Sequence, residues 1–218
     1  MIALRCDEVV DMAIVRKNYQ KIRYEIKKND ILENAAKMFL KKGFEKAALE
    51  DIAHELKMTK GSLYYYIKSK EDMLFQCIMK ANKMANDVLE GVEKMDLPPA
   101  EKLRQAILGH TKVLTTDFVV GVLRQQELLL PTHMRDTVIH ERDRFEKKFL
   151  AIVKEGIRKE TFQKEDWKMR AYAILGALNW IPRWYTPDGK LSPEEIGEAM
   201  ANYLIRGLLN PEMKDEES

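Results

Sequence analysis

At 218 residues the chain is long enough for one large domain or a small one joined to a larger one. Its abundant helix formers, with only 10 Gly and 7 Pro, point to an all-α protein. The longest apolar runs are too short for a membrane span, Asp7, Glu8 and Asp11 interrupt the layout of a signal peptide, and Cys6 and Cys77, without metal or redox spacing, fit a reducing cytoplasm.

The net charge of +2 decides little, but its distribution is uneven. Residues 16–70 hold 14 Lys+Arg against 7 Asp+Glu, and the remainder is acidic by 5. A basic N-terminal third on an acidic body fits a nucleic-acid module joined to a domain with another task; a solvated helical surface of uneven charge is the blander alternative.

In chain order, residues 1–21 lack a clean period and read as an N-terminal arm. The spacing of Ile31, Ala35, Met38 and Phe39 predicts a helix over Ile22–Lys42, closed by Gly43 as C-cap and by Phe44. A short helix over Leu49–Leu56 follows, with Ile52, Ala53 and Leu56 inward. Thr59 is suited to N-cap a third helix with Leu63 inward, and Ser69 to cap a fourth that carries Glu71 and Asp72 on its positive end and runs to about Val92. Asp96-Leu97-Pro98-Pro99 is a break. Helices are then expected over about Ala100–Thr115, Val119–Leu129, Met134–Lys159 and Lys164–Trp180, followed by a turn at Tyr185–Gly189. Ser192-Pro193-Glu194-Glu195 is a strong start for a last helix, which ends near Arg206. This gives about nine helices. Domains are expected at 22–70 and 71–210, with an acidic tail over 211–218.

The segment Leu49–Asp72 carries the clearest chemistry. Ala53 is small enough for two helices to pack closely, and Ile52, Leu56, Met58, Leu63 and Tyr66 have the spacing of a miniature core. The second helix of such a pair offers its N-terminal residues to base edges and its free N–H groups to phosphate. Those residues are Thr59, Lys60, Gly61 and Ser62, with Tyr64 and Tyr65 on the next turn.

The run MTKGSLYYYIKSKEDM, preceded by ILENAAKMFLKKGFEKAALEDIA, resembles the N-terminal domain of the TetR family of transcriptional repressors over about residues 26–75. The resemblance implies a helix-turn-helix DNA-binding domain on a helical domain that dimerises and often binds a small molecule. By motif position it makes Thr59, Lys60, Gly61, Ser62, Tyr64 and Tyr65 DNA contacts and Lys70 the lysine that holds a phosphate. Two departures are visible. Lys57 replaces the usual turn glycine, so a left-handed backbone is expected there at a cost on the order of 1 kcal/mol. Tyr66-Ile67 replaces the frequent His-Phe pair.

The C-terminal segment GALNWIPRWYTPDGKLSPEEIGEAMANYLIRGL is similar to the end of TetR-like regulators of fatty-acid and lipid catabolism, a branch that often responds to acyl-CoA thioesters. Such a ligand needs an apolar tunnel and cations for its phosphates. Phe118, Val122, Phe145, Phe149, Tyr172 and Trp180 are candidates for the tunnel, with Arg124 and Arg183 as cations; ordinary bundle core is the competing reading of the apolar ones. Small and apolar faces on the last two helices, including Gly176, Ala177, Trp184, Met200, Tyr203 and Leu204, suit a homodimer interface.

The resemblance implies a ligand-responsive, sequence-specific repressor that binds a palindromic operator in double-stranded DNA and is released by a small lipophilic effector, an acyl-CoA being one candidate. Control of efflux genes by a toxic lipophile is the alternative within the class, and a helical protein-binding adaptor the alternative outside it. No cofactor, metal or membrane partner is expected. His54, His110, His133 and His140 have no metal spacing, and no glycine-rich phosphate loop or nucleophile elbow is present, so the chain does not read as an enzyme.

Overall fold

The structure, a computed structural model, describes the backbone of residues 6–125 and 129–210 and the side chains from Val15 onward. The chain folds into helices α1 (Cys6–Lys42), α2 (Leu49–Glu55), α3 (Lys60–Tyr64), α4 (Lys70–Glu93), α5 (Pro99–Leu114), α6 (Asp117–Leu123), α7 (Thr132–Arg158), α8 (Trp167–Asn179), α9 (Ile181–Trp184) and α10 (Pro193–Arg206). The fold is all-α. Among the described residues the only β pairing is an isolated antiparallel bridge, Phe162 to Leu209.

Most expected boundaries hold within a few residues, and the differences have local causes. The first helix begins at Cys6, not Ile22, so residues 6–21 of the expected arm are continuous helix with the segment that follows. Val15 and Tyr19 in that stretch are exposed and mark no buried stripe. The helix expected to reach Leu129 ends at Leu123, where Arg124 caps it and turns its guanidinium onto the α9 region. The helix expected from Lys164 starts at Trp167, after Asp166 in a left-handed conformation with φ 51°. Residues 1–5 of the arm and the acidic tail 211–218 lie outside the described residues.

Side-chain chemistry explains the caps. Thr59 and Ser69 accept hydrogen bonds from Ser62 N and Asp72 N, and Ser192 with Glu195 closes a capping box at α10. Gly43, at φ 76°, ends α1 and drops Phe44 into the core beside Phe39, with ring centroids 5.5 Å apart.

Helix α5 lies at the centre of the larger bundle, packed by α10, α4, α7 and α8, while α6 packs on α1. That last crossing is close: a Cβ on Gly121 would stand 2.5 Å from the Ala36 carbonyl oxygen. Among the described residues no single helix is long and apolar enough to cross a membrane.

Candidate nucleic-acid interface and buried cavity

The helix pair α2–α3 is held by Ile52, Ala53, Leu63 and Ile67, all buried, and by the bond from Met58 N to Ala53 O at 2.8 Å. Lys57 turns the chain between them with φ 52°, the left-handed conformation its position requires. The outer face of α3 is polar and open. Thr59 Oγ1 lies 3.1 Å from Ser62 N and 2.9 Å from Ser62 Oγ, and a Cβ on Gly61 would meet no atom within 4 Å. Tyr64 is 42% exposed and Tyr65 72%.

The third tyrosine belongs to the scaffold. Tyr66 stacks on Tyr24 of α1 with centroids 4.9 Å apart, and Tyr65 meets both rings edge-on. Arg23, Tyr24 and Lys27 of α1 share a groove with Lys57, Thr59, Ser62 and Tyr65. Two lysines are already engaged. Lys60 Nζ pairs with Glu50 Oε1 at 2.5 Å; the hydrogen bond raises the lysine's pKa and lowers that of the carboxyl. Lys70 Nζ donates to Glu45 O at 2.9 Å and lies 4.6 Å from the Phe44 ring centroid, so this lysine ties down the α1–α2 loop. An ammonium has three donors, which leaves it capacity for a second acceptor.

In the larger bundle, α4 to α9 enclose a cavity of about 530 Å³. Its apolar wall includes Ile78, Ala81, Val119, Val122, Phe145 and Leu175, and its polar wall Asn82, His110, Gln125, Arg142, Glu146, Asn179 and Arg183. His110 is buried against Phe145, with ring centroids 4.7 Å apart. Burial lowers its imidazole to about 4, so it is neutral near pH 7. Tyr172 is not in the wall, but its hydroxyl donates to Glu146 at 2.8 Å. A larger groove between α1, α4 and α7 is lined largely by charged side chains that neutralise one another, as in Lys83–Asp87 and Arg144–Glu90.

Of the residues expected to hold a ligand, Val122, Phe145 and Arg183 line the cavity. The others stand elsewhere. Phe118 is buried under Lys80, whose Nζ lies 4.2 Å from the ring centroid. Phe149 is core beside Phe145, and Trp180 is 63% exposed at the α8–α9 junction. Arg124 holds that junction, with Nε 2.9 Å from Pro182 O and Nη2 3.1 Å from Tyr185 O.

Gln125 was not singled out in the sequence, yet it lines the cavity and clamps the end of α1. Its amide donates to Phe39 O at 3.3 Å and accepts from Phe44 N at 3.0 Å. No pattern in the sequence marks such a contact, because its partners lie more than 80 residues away.

The family model described as "Bacterial regulatory proteins, tetR family" matches residues 31–77, and that of the "Tetracyclin repressor-like, C-terminal domain" matches residues 96–208, more than half of the chain. The chain belongs to the TetR family. Among similar TetR proteins of known structure is PfmR from Thermus thermophilus, 33% identical with a TM-score of 0.76, covering 83% of this chain and 99% of that one. AibR, solved in complex with isovaleryl coenzyme A and operator DNA, is 26% identical with a TM-score of 0.71, covering 82% and 97%. A curated relative, the HTH-type transcriptional repressor KstR2 of Mycolicibacterium smegmatis, is 24% identical over 185 residues, 84% of this chain and 90% of its own. The TetR family consists of transcriptional regulators rather than enzymes, and among the described residues no cluster of His, Cys, Asp and Glu could hold a metal ion.

Proposed function

We propose that this protein is a homodimeric, cytoplasmic transcriptional repressor that binds a palindromic operator and is released by a small lipophilic effector, an acyl-CoA thioester being the ligand class favoured. Thr59, Lys60, Gly61, Ser62, Tyr64 and Tyr65 contact the major groove and its phosphates, and Lys70 adds a phosphate contact through its remaining donors. The reading is supported by the open polar face of α3, by the basic groove beside it and by AibR, which was solved with both isovaleryl coenzyme A and operator DNA.

The observation that carries ligand response is the double duty of Gln125, at once cavity wall and clamp on α1. A ligand that displaces α6 shifts the helix on which the reading head is built. About 3 kcal/mol of differential affinity between two states weakens operator binding roughly a hundredfold. Two copies would join through α8, α9 and α10, where Met169, Trp180, Trp184 and Tyr203 are exposed and a Cβ on Gly176 would meet nothing within 4 Å. Gly176, Ala177, Trp184, Met200, Tyr203 and Leu204 form that interface, and the twofold axis makes the operator palindromic.

The test is a gel shift with the DNA flanking the protein's own gene, over a range of salt, followed by titration of acyl-CoA thioesters of several chain lengths. Binding is expected to be sequence-specific and to weaken steeply with salt. Tyr64→Ala with Tyr65→Ala is expected to weaken it at least tenfold while sedimentation still reports a dimer. Absence of specific binding overturns the repressor reading. Operator complexes untouched by every thioester, but released by a lipophilic cation, would favour control of efflux genes.

A further inference from the structure

The cavity wall is not uniformly apolar. On α5, His110 is 5% exposed, and neither of its ring nitrogens has a well-formed hydrogen bond; Phe145 covers the ring and the Asn179 side chain stands beside it. On α4, which packs against α5, the Asn82 side-chain nitrogen is also buried without a partner. Both residues line the same cavity, amid Ala81, Leu114, Val119, Val122, Phe145 and Leu175. The other polar groups of the wall are engaged or peripheral. Gln125 bonds α1, Glu146 accepts the Tyr172 hydroxyl, Arg142 has a partner of its own, Asn179 stands at the His110 ring, and Arg183 lies in the exposed rim.

We propose that His110 and Asn82 form a reading site for an uncharged carbonyl oxygen set within an apolar ligand. A neutral imidazole presents one N–H and an amide two, so both residues can donate to one carbonyl oxygen, which has two lone pairs. A ligand with only methylenes at that depth leaves both donors without an acceptor, a large penalty in an apolar wall. Water can serve the same atoms, so a ligand that displaces it must bring an equivalent acceptor. Burial among apolar side chains penalises a charged group that lacks a partner, which favours an uncharged acceptor at that depth. Two kinds of molecule carry this chemistry, an acyl thioester and a ketone. The inference rests on the cavity being the effector site, and the thioester arm rests further on the acyl-CoA reading.

Two ligand pairs test it on the full-length protein. Octanoyl-CoA is compared with S-octyl-CoA, which lacks the carbonyl, and 2-nonanone with 2-methyl-1-nonene, in which a methylene replaces the oxygen. Affinity is measured by calorimetry for the first pair and by thermal shift for the second. The wild type is expected to prefer the carbonyl member of at least one pair by about tenfold or more. In the double variant His110→Phe, Asn82→Leu the preference should fall toward one, with S-octyl-CoA bound as well as before. No preference in either pair, or a preference that survives in the double variant, overturns the proposal. So does failure of all four ligands to bind. Should the variant not fold, the wild-type ratios still decide. Release of operator DNA by octanoyl-CoA without a carbonyl preference sinks this inference and keeps the acyl-CoA reading. A preference in the ketone pair alone, with no release by octanoyl-CoA, does the reverse.

Discussion

The reading head and the cavity bundle solve different problems with the same helices. In the head, the groups that would meet DNA are neighbours in sequence, from Thr59 to Tyr65, and the buried Leu63 holds them from within one turn. In the bundle, the polar wall comes from α4, α5, the turn after α6, α7, α8 and α9, and its contact with α1 spans more than 80 residues. The head is therefore a local object whose chemistry survives as a motif. The cavity exists only after the bundle has formed, and sequence spacing says little about which residue faces it.

The largest expected effect separates the two. Leu63→Ala removes a fully buried side chain from the head's small core and is expected to cost about 2–5 kcal/mol, abolishing operator binding while leaving the dimer intact in sedimentation. Val122→Ala, which trims a wall already facing open volume, should cost less in the same urea titration. Equal costs would mean that the open volume beside Val122 does nothing to soften the loss of its methyl groups.

Next comes pH. The unfolded imidazole of His110 takes up a proton near 6.5 and the folded one only near 4, so the unfolded chain binds more protons between those values. This contribution is therefore fully favourable above 6.5, declines as pH falls and is gone below about 4, up to about 3 kcal/mol in all. Glu146, Arg142 and Arg183 share the wall, so the comparison is made against His110→Phe, whose stability should be flatter across that window. A parallel curve would show that His110 titrates normally.

Gln125→Leu keeps the wall but leaves the Phe44 N–H without its acceptor, for a loss of about 1–3 kcal/mol. Operator binding measured with and without effector should then differ by a smaller factor than in the wild type. An unchanged factor would place the coupling elsewhere, along α4 for example. The smallest effect is Lys57→Gly, expected to raise stability by no more than about 1 kcal/mol because φ 52° suits glycine. A loss of stability would show that the Lys57 side chain contributes more than its backbone costs.

Much of this molecule was legible in its sequence. The caps at Thr59, Ser69 and Ser192 were readable because capping needs only a residue and its near neighbours. The left-handed turn at Lys57 was readable because the family that the segment resembles usually has a glycine there. Three kinds of feature were not legible. The early start of α1 was hidden because Val15 and Tyr19, the described apolar side chains of that stretch, are exposed and mark no buried stripe. Arg124 reads in the sequence as a cation for a ligand, and only the fold shows its Nε and Nη2 bonded to the Pro182 and Tyr185 carbonyls. His110 and Asn82 lay in plain helical runs, and their meaning depends on what they fail to touch.

The bridge between Phe162 and Leu209 marks an engineering boundary. Backbone bonds from Gln163 N to Leu208 O at 2.8 Å and from Asn210 N to Thr161 O at 3.1 Å fasten the end of α10 to the loop after α7. Phe162 packs there against Gly156, where any side chain would collide with its ring. A reporter or affinity tag fused beyond Asn210 leaves that fastening whole, whereas a deletion reaching Leu208 loosens the ring that seals the end of α7.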